Sequence, residues 1–185
     1  IHSEMPAPDV MKNGGKMHGF QIWVNLPREQ KMSQPRYQEH SSATLPSYEK
    51  DGRWVRVIAG EADGHRSPIE TTVPTTLLHV KLAPDRDATF TIASGSNAIV
   101  HTIAGSGSVE GKALKQYDVA LIENAPAALQ LHGDDDGIEV LILAGVPLHE
   151  PVARYGPFVM STNDELQRAF DDFRAGHFGE IARVT

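Results

Sequence analysis

Residues 98–144 read AIVHTIAGSGSVEGKALKQYDVALIENAPAALQLHGDDDGIEVLILA and carry the strongest fold signal in the chain. Apolar and polar side chains alternate in short runs, and glycine, asparagine and aspartate separate the runs, which is typical of β-strands joined by turns. The predicted strands lie at residues 98–104, 118–123, 128–132 and 138–144. Between the last two, Asp134–Gly137 ends in Asp-Gly, a strong hairpin signal, and therefore predicts a turn.

The same alternation continues towards the N-terminus. It predicts further strands at Gly19–Leu26, Trp54–Ala59, Ile69–Val73, Leu77–Ala83 and Ala88–Ala93. Their spacing of about 10 residues is that of an all-β sandwich or barrel.

One segment near the C-terminus has helical spacing instead. Thr162–Glu165 (TNDE) forms a capping-box pattern, and Leu166, Phe170 and Phe173 follow on one helical face. Gly176 supplies a C-terminal stop. We therefore expect a single amphipathic helix of about 12 residues.

Composition limits the function classes. The chain has 185 residues, enough for one domain with part of another, and its formal net charge is -7. Because no lysine or arginine cluster is present, we expect no direct nucleic-acid partner. The absence of cysteine excludes disulfides and thiol chemistry. No apolar run reaches the roughly 18 residues of a membrane span, and no secretory leader is recognisable, so a cytoplasmic protein without membrane contact is expected.

His2 and Glu4 form the main candidate site. They stand two residues apart in Ile1–Pro6 (IHSEMP), so in an extended chain both side chains lie on the same side. An imidazole nitrogen beside a carboxylate is half of a mixed nitrogen and oxygen metal site. On composition alone, a chance pair at a frayed chain end is the alternative interpretation. The isolated His18 and His101 are interpreted as structural residues, and Asp134–Asp136 as a solvated turn.

Several blocks together resemble the pirin family, whose members are bicupins. These blocks are His2–Pro6, His18–Pro27 (HGFQIWVNLP), Val57–Glu61 (VIAGE) and Arg154–Met160 (RYGPFVM). The resemblance implies an all-β, cupin-type β-barrel or jelly roll with one C-terminal α-helix. It also implies that the N-terminal cupin is partial, because the first part of that domain is missing from this sequence. The expected organisation is a remnant of the N-terminal cupin at 1–26, a linker at 27–49, a complete C-terminal cupin at 50–160, and the helix and tail at 161–185.

The resemblance also implies a metal site. Pirin-like proteins hold iron, or another divalent transition metal, with three histidines and one glutamate, and His2 and Glu4 match two of these four ligands. Glu4 is further expected to act in catalysis by taking the substrate hydroxyl proton. The His-x-His pair that supplies the other ligands occurs nowhere in this sequence. The C-terminal barrel is expected to be metal-free, since Ala93–Ala98 and Pro126–Leu129 carry no ligand side chains where metal-binding cupins have them.

Three functional hypotheses follow from the resemblance. The intact protein is expected to be an iron-dependent dioxygenase of quercetinase type that acts on a flavonol-like aromatic substrate. The alternative is a non-enzymatic, metal- or redox-responsive interaction module for regulatory or metabolic proteins, and the acidic net charge favours basic protein surfaces as its partners. The third hypothesis is an inactive fragment, because a chain with half of the metal site is expected to be inactive by itself.

Overall fold

The computed structural model describes residues 8–179, which divide into two compact units. The first unit combines the chain up to Arg36 with the chain from His149 onward, and the second unit is Tyr37–Leu148. Neither described α-helix is long and apolar enough to cross a bilayer.

The second unit contains ten strands. They are β1 (Ser47–Lys50), β2 (Arg53–Ala59), β3 (Glu61–Ala62), β4 (His65–Arg66), β5 (Thr75–Leu82), β6 (Arg86–Thr91), β7 (Asn97–Val109), β8 (Lys112–Lys115), β9 (Val119–Ile122) and β10 (Ala128–Gly145).

Antiparallel pairing arranges eight of these strands as a jelly roll. The strand order is β1-β2-β5-β10-β7-β8, with β6 also paired to β10 and β9 also paired to β7. The strands β7 and β10 are the longest in the unit, with 13 and 18 residues. The first half of β10 pairs with β6, and its second half pairs with β5, while β7 accompanies both halves. The remaining pair, β3 and β4, forms a small separate hairpin.

Alternation along the strands places one apolar face of each inside the barrel. Burial alternates along most of β2 and β5, and β10 is buried more continuously near its C-terminal end. The residues without any exposed surface include Val55, Val57, Val80, Val140 and Ile142. Phe90 and Leu129 pack in the same core cluster. Burial of such side chains is worth about 1.5–3 kcal/mol each before conformational entropy is counted, so this interior is the main stabilising element of the unit.

The predicted hairpin turn at Asp134–Gly137 is wrong. These residues lie within the continuous strand β10, where the pairing with β7 jumps from Gly133–Gly107 to Ile138–Gly105. Four residues of β10 therefore stand opposite the single Ser106 of β7, which makes this segment a bulge. Ser106 Oγ donates a hydrogen bond to Asp134 Oδ2 at 2.9 Å. The Asp-Gly signal marked a local change of direction, but the strand continues because its partner β7 continues.

The predicted strand at Ile69–Val73 is also wrong, since this segment has no regular structure. Pro68 and Pro74 flank it, and proline both removes a backbone donor and restricts the residue before it. The hairpin formed by β3 and β4 precedes this segment instead. The other predicted strands of this unit correspond to observed strands or, at β10, to the two halves of one strand.

The described residues of the first unit, 8–36 and 149–179, form two helices, one short 3-10 helix and one short hairpin. They are α1 (Pro8–Asn13), the 3-10 helix (Arg28–Gln30), β11 (Ala153–Tyr155), β12 (Phe158–Met160) and α2 (Asn163–Arg174). The capping box of α2 is present as predicted, with Thr162 as the N-cap and Glu165 reaching back to the backbone. Gly176 follows the helix with a φ of +73°, as expected for a C-terminal stop.

The strand predicted at Gly19–Leu26 is not present. These residues have no regular structure, and Phe20, Trp23 and Val24 are each close to half exposed. An alternating sequence becomes a strand only beside another strand, and none of the strands in the described part of the chain pairs with this segment. The all-β fold with a C-terminal helix is confirmed, while the boundaries expected at residues 26, 49 and 160 remain predictions.

Candidate functional site

The predicted metal ligands His2 and Glu4 lie outside the described residues, so the metal site stays a prediction. The segment that follows them belongs to the first unit, where the described chain starts with α1. His18, interpreted from sequence as structural, is exposed, and its ring lies 5.4 Å from that of Phe20.

An ion pair fixes the loop after this segment to the start of α2. The guanidinium of Arg28 contacts Glu165 Oε1 through Nε at 2.8 Å and a terminal nitrogen at 2.7 Å. The backbone N–H of Arg28 donates to Glu150 Oε2 at 2.8 Å. Glu165 also accepts from the backbone N–H groups of Ser161 and Thr162. The hydrogen bond from Arg28 is the largest cause of the lowered pKa of Glu165, so this carboxylate stays ionised while it holds both the cap and the loop.

Two further contacts in the first unit involve cations near this loop. Lys31 Nζ donates to Asn25 Oδ1 at 2.5 Å, and partial burial lowers the pKa of Lys31 against the opposing effect of Glu150. The guanidinium of Arg154 lies over the Trp23 ring at 5.1 Å from its centre. Trp23 and Asn25 in the WVNLP sequence are therefore held by charge–ring and amide contacts rather than by strand pairing.

The interior of the second unit offers no comparable set of ligands. It is lined by apolar side chains, and His101 lies in the barrel wall on the face opposite the buried Val100 and Thr102. Within the described residues, no three histidine, aspartate or glutamate side chains come together in a way that could hold a metal ion. The barrel nevertheless carries two polar clusters that the sequence did not reveal.

The first cluster joins Tyr48, Arg53 and Asp63 beside the barrel core. Tyr48 packs against the core and donates a hydrogen bond to Asp63 Oδ2 at 2.9 Å, and Arg53 forms an ion pair with the same oxygen. Arg53 also lies over the Phe90 ring, 5.4 Å from its centre. His65 stacks on Tyr48 with 4.4 Å between ring centres. These contacts attach the β3–β4 hairpin to the barrel.

This cluster shifts two pKa values in opposite directions. Burial raises the pKa of Tyr48 to about 12, and the hydrogen bond to Asp63 adds to the effect. Burial opposes ionisation of Asp63, but the contacts with Tyr48 and Arg53 outweigh it and lower its pKa. The stability from Tyr48 is therefore present below its unfolded pKa of about 10 and is lost as the pH rises towards 12. The stability from Asp63 is present above about pH 4 and is lost as the pH falls through its lowered value.

We expect Tyr48 to titrate separately from an ordinary tyrosine. In absorbance titrations near 295 nm, the difference between the native chain and Tyr48→Phe should have its midpoint near pH 12. Asp63→Asn should move that midpoint part of the way towards 10, because burial still raises the pKa when the carboxylate is gone. A difference curve centred at about 10 in the folded chain would contradict the cluster.

The second cluster lies on the outer face of the sheet. His79 Nε2 is 2.6 Å from Glu139 Oε1, and Lys81 Nζ is 3.3 Å from the same oxygen. Burial opposes ionisation of Glu139, but its contacts with His79 and Lys81 outweigh it and lower its pKa. The Trp54 ring contacts the His79 ring edge-on. The charged groups of Lys81 and Arg56 lie over the Trp54 ring. Glu139 and Lys81 are direct cross-strand partners, so this cluster could have been predicted only with the register of β5 and β10 in hand.

Comparison with known proteins supports the family assignment. A sequence model of the pirin C-terminal cupin domain matches residues 77–179. Human pirin is 35% identical over 178 residues, which cover 94% of this chain and 60% of that protein. A pirin-like protein of Solanum lycopersicum is 32% identical over 182 residues, covering 97% of this chain and 61% of that protein. A crystal structure of quercetin 2,3-dioxygenase from Acinetobacter baumannii superposes with a TM-score of 0.79 at 32% identity, covering 86% of this chain and 56% of that one.

The chain thus spans only about three fifths of the curated relatives it matches. The family model nevertheless covers more than half of the chain, including most of the strands of the jelly roll and all of α2. The resemblance inferred from the sequence blocks is confirmed. The chain belongs to the pirin family, and its residues 77–179 are those of the pirin C-terminal cupin domain.

Proposed function

We propose that this chain is part of a metal-dependent dioxygenase of quercetinase type, with His2 and Glu4 as two of its metal ligands. The observation that carries the proposal is the similarity to the Acinetobacter baumannii quercetin 2,3-dioxygenase at 32% identity. The donor chemistry supports it, because a neutral imidazole and a carboxylate suit iron or another divalent transition metal.

In this proposal a flavonol-like molecule is the substrate. The metal, when bound, acts as a Lewis acid on a substrate oxygen and supplies the redox chemistry with dioxygen. His2 contributes a neutral nitrogen ligand. Glu4 contributes an anionic oxygen ligand and takes the proton of the substrate hydroxyl, which requires hydrogen-bond reach of about 3 Å to that hydroxyl. The network of Arg28, Glu150 and Glu165 fixes the loop that follows these residues in the first unit.

Metal binding is expected to need more than these two ligands. Two protein donors alone bind a metal ion weakly, because tight binding needs a larger, preorganised set of ligands. We expect the 185-residue chain to retain little iron, and a version extended by a pirin N-terminal segment with the His-x-His pair to retain a stoichiometric amount. His2→Ala in the extended version should lower its iron content by about tenfold or more. His18→Ala is the matched control and should leave it unchanged.

Metal analysis and flavonol consumption under oxygen separate the hypotheses. Iron uptake together with consumption of quercetin supports the dioxygenase. Iron uptake without any consumption favours the alternative of a metal-responsive interaction module, to be followed by a search for protein partners with basic surfaces. Stoichiometric iron in the short chain, abolished by His2→Ala, would overturn the view that half a site is insufficient.

A further inference from the structure

A cleft of the first unit lies between β11 and α2. Its volume is about 410 Å³, within the range of small-molecule sites. The lining residues are Arg154 and Tyr155 on β11, and Asn163, Leu166, Gln167, Phe170 and Arg174 on α2. The helix residues recur at intervals of three and four, so they form one face of α2. None of these residues belongs to the predicted metal site.

The charge of this cleft is opposite to that of the chain. Two arginines line it and no acidic residue does, although the whole chain has a net charge of -7. Within residues 10–179, Arg154 forms no ion pair, and one face of its guanidinium is over Trp23. A guanidinium stacked in this way keeps its in-plane N–H donors available for an anion. Arg174 has only a 3.4 Å contact with Asp171, between two largely exposed side chains, and such pairs are weak.

The apolar part of the cleft is mainly aromatic. Leu166 is buried, and Phe170 is fixed by an edge-on contact with Phe158 at 4.9 Å between ring centres. The Tyr155 ring contacts the Phe170 ring, with 5.7 Å between ring centres. These side chains provide a surface on which a planar ring can pack. Gln167 uses its amide nitrogen to donate to Asp171, which leaves its carbonyl oxygen available for a ligand hydroxyl.

We propose that this cleft is a metal-independent binding site for an aromatic carboxylate. The ring packs on Leu166 and Phe170, and the carboxylate binds between the guanidinium groups of Arg154 and Arg174. Arginine favours a carboxylate because its planar donors match the two carboxylate oxygens. The aromatic surface selects against small anions without a ring. The site needs neither His2 nor Glu4, so its existence does not depend on the dioxygenase proposal.

Calorimetric titration of the chain with 2-naphthoate tests the proposal, in the presence of a metal chelator and at constant ionic strength. We expect saturable 1:1 binding of 2-naphthoate. The neutral 2-naphthamide, which keeps the ring, and acetate, which keeps the charge, should each bind about tenfold more weakly or worse. Equal binding of 2-naphthamide, or no binding of 2-naphthoate at millimolar concentration, would overturn the proposal.

Variants locate the site within the first unit. Arg154→Gln and Arg174→Gln should each weaken 2-naphthoate binding by about tenfold, since each removes a charged donor. Arg168→Gln is the matched control, because this exposed arginine is on the same helix and does not line the cleft. An equal loss in Arg168→Gln would show that net charge rather than the cleft governs binding and would refute the assignment. The circular dichroism spectrum of each variant must match that of the unchanged chain. A variant that fails this check is replaced by the corresponding lysine substitution, which keeps the positive charge but removes the planar donors.

Discussion

Gly105→Ala is expected to destabilise the second unit by about 4 kcal/mol or more, among the largest effects of any single substitution in this barrel. Gly105 on β7 pairs with Ile138, the first residue of β10 after the bulge, and has a φ of +73°. A Cβ atom here would lie 2.1 Å from the carbonyl oxygen of Gly137, which is backbone and cannot rotate away. The substitution therefore adds a backbone clash to the cost of a left-handed conformation.

Gly95→Ala separates these two costs. Gly95 has a similar φ of +77°, but a Cβ atom there meets nothing within 4 Å. We expect this control to lose only about 1–2 kcal/mol, the cost of the conformation alone. Urea unfolding followed by Trp54 fluorescence, in a Trp23→Phe background, reports on the second unit. Similar losses of unfolding free energy in the two variants would contradict the close approach of β7 to the bulge. If Gly95→Ala folds and Gly105→Ala does not, the result supports that close approach.

Ile142→Ala should cost about 2–5 kcal/mol, because it leaves a cavity at the centre of the barrel. Ile142 has no exposed surface and lies on β10 between β5 and β7. Its matched control is Ile99→Ala on the neighbouring strand, where the side chain is 40% exposed on the opposite face of the sheet. We expect the control to lose less than about 1 kcal/mol.

The comparison of the two isoleucines tests the register of β7 and β10. Ile142 pairs with Val100 and Ile99 pairs with Leu143, so the two positions are adjacent in the ladder. A shift of one residue would exchange the inward and outward faces of a strand. If Ile99→Ala were as destabilising as Ile142→Ala under the same urea unfolding, the assignment of faces would be wrong.

Alternation predicted most of the barrel because a half-buried strand records its environment in its own sequence. The strands β2, β5, β6 and β9 lie within two residues of the expected bounds. The bulge at Asp134–Gly137 could not be predicted in this way, since its four residues depend on where β7 places Ser106. The strand prediction at Gly19–Leu26 was wrong because it also depended on another part of the chain. The alternation of this segment is clear, but a strand forms only beside a second strand, and no described strand pairs with this segment.

The candidate sites also differ in whether their residues are close in sequence or are brought together by the fold. His2 and Glu4 are close in sequence, so a short motif was enough to predict them, and their role remains a prediction. The cluster of Tyr48, Arg53 and Asp63 depends on a side chain that reaches from the β3–β4 hairpin to the barrel. The cleft forms because β11 lies beside α2. Of these two elements, only α2 was predicted from the sequence, by its capping box and apolar spacing. Local spacing therefore predicts motifs, whereas contacts across strands require the fold.

The length of β7 and β10 has a consequence for how this domain can be divided. The first half of β7 pairs with β9 and its second half with β8, and β10 changes partner from β6 to β5 at the bulge. A cut anywhere between Asn97 and Gly145 therefore interrupts one of these two strands or separates β7 from its partner β10. Tags, split-reporter breakpoints and circular-permutation sites should be placed outside this interval, because inside it the jelly roll has no smaller autonomous piece.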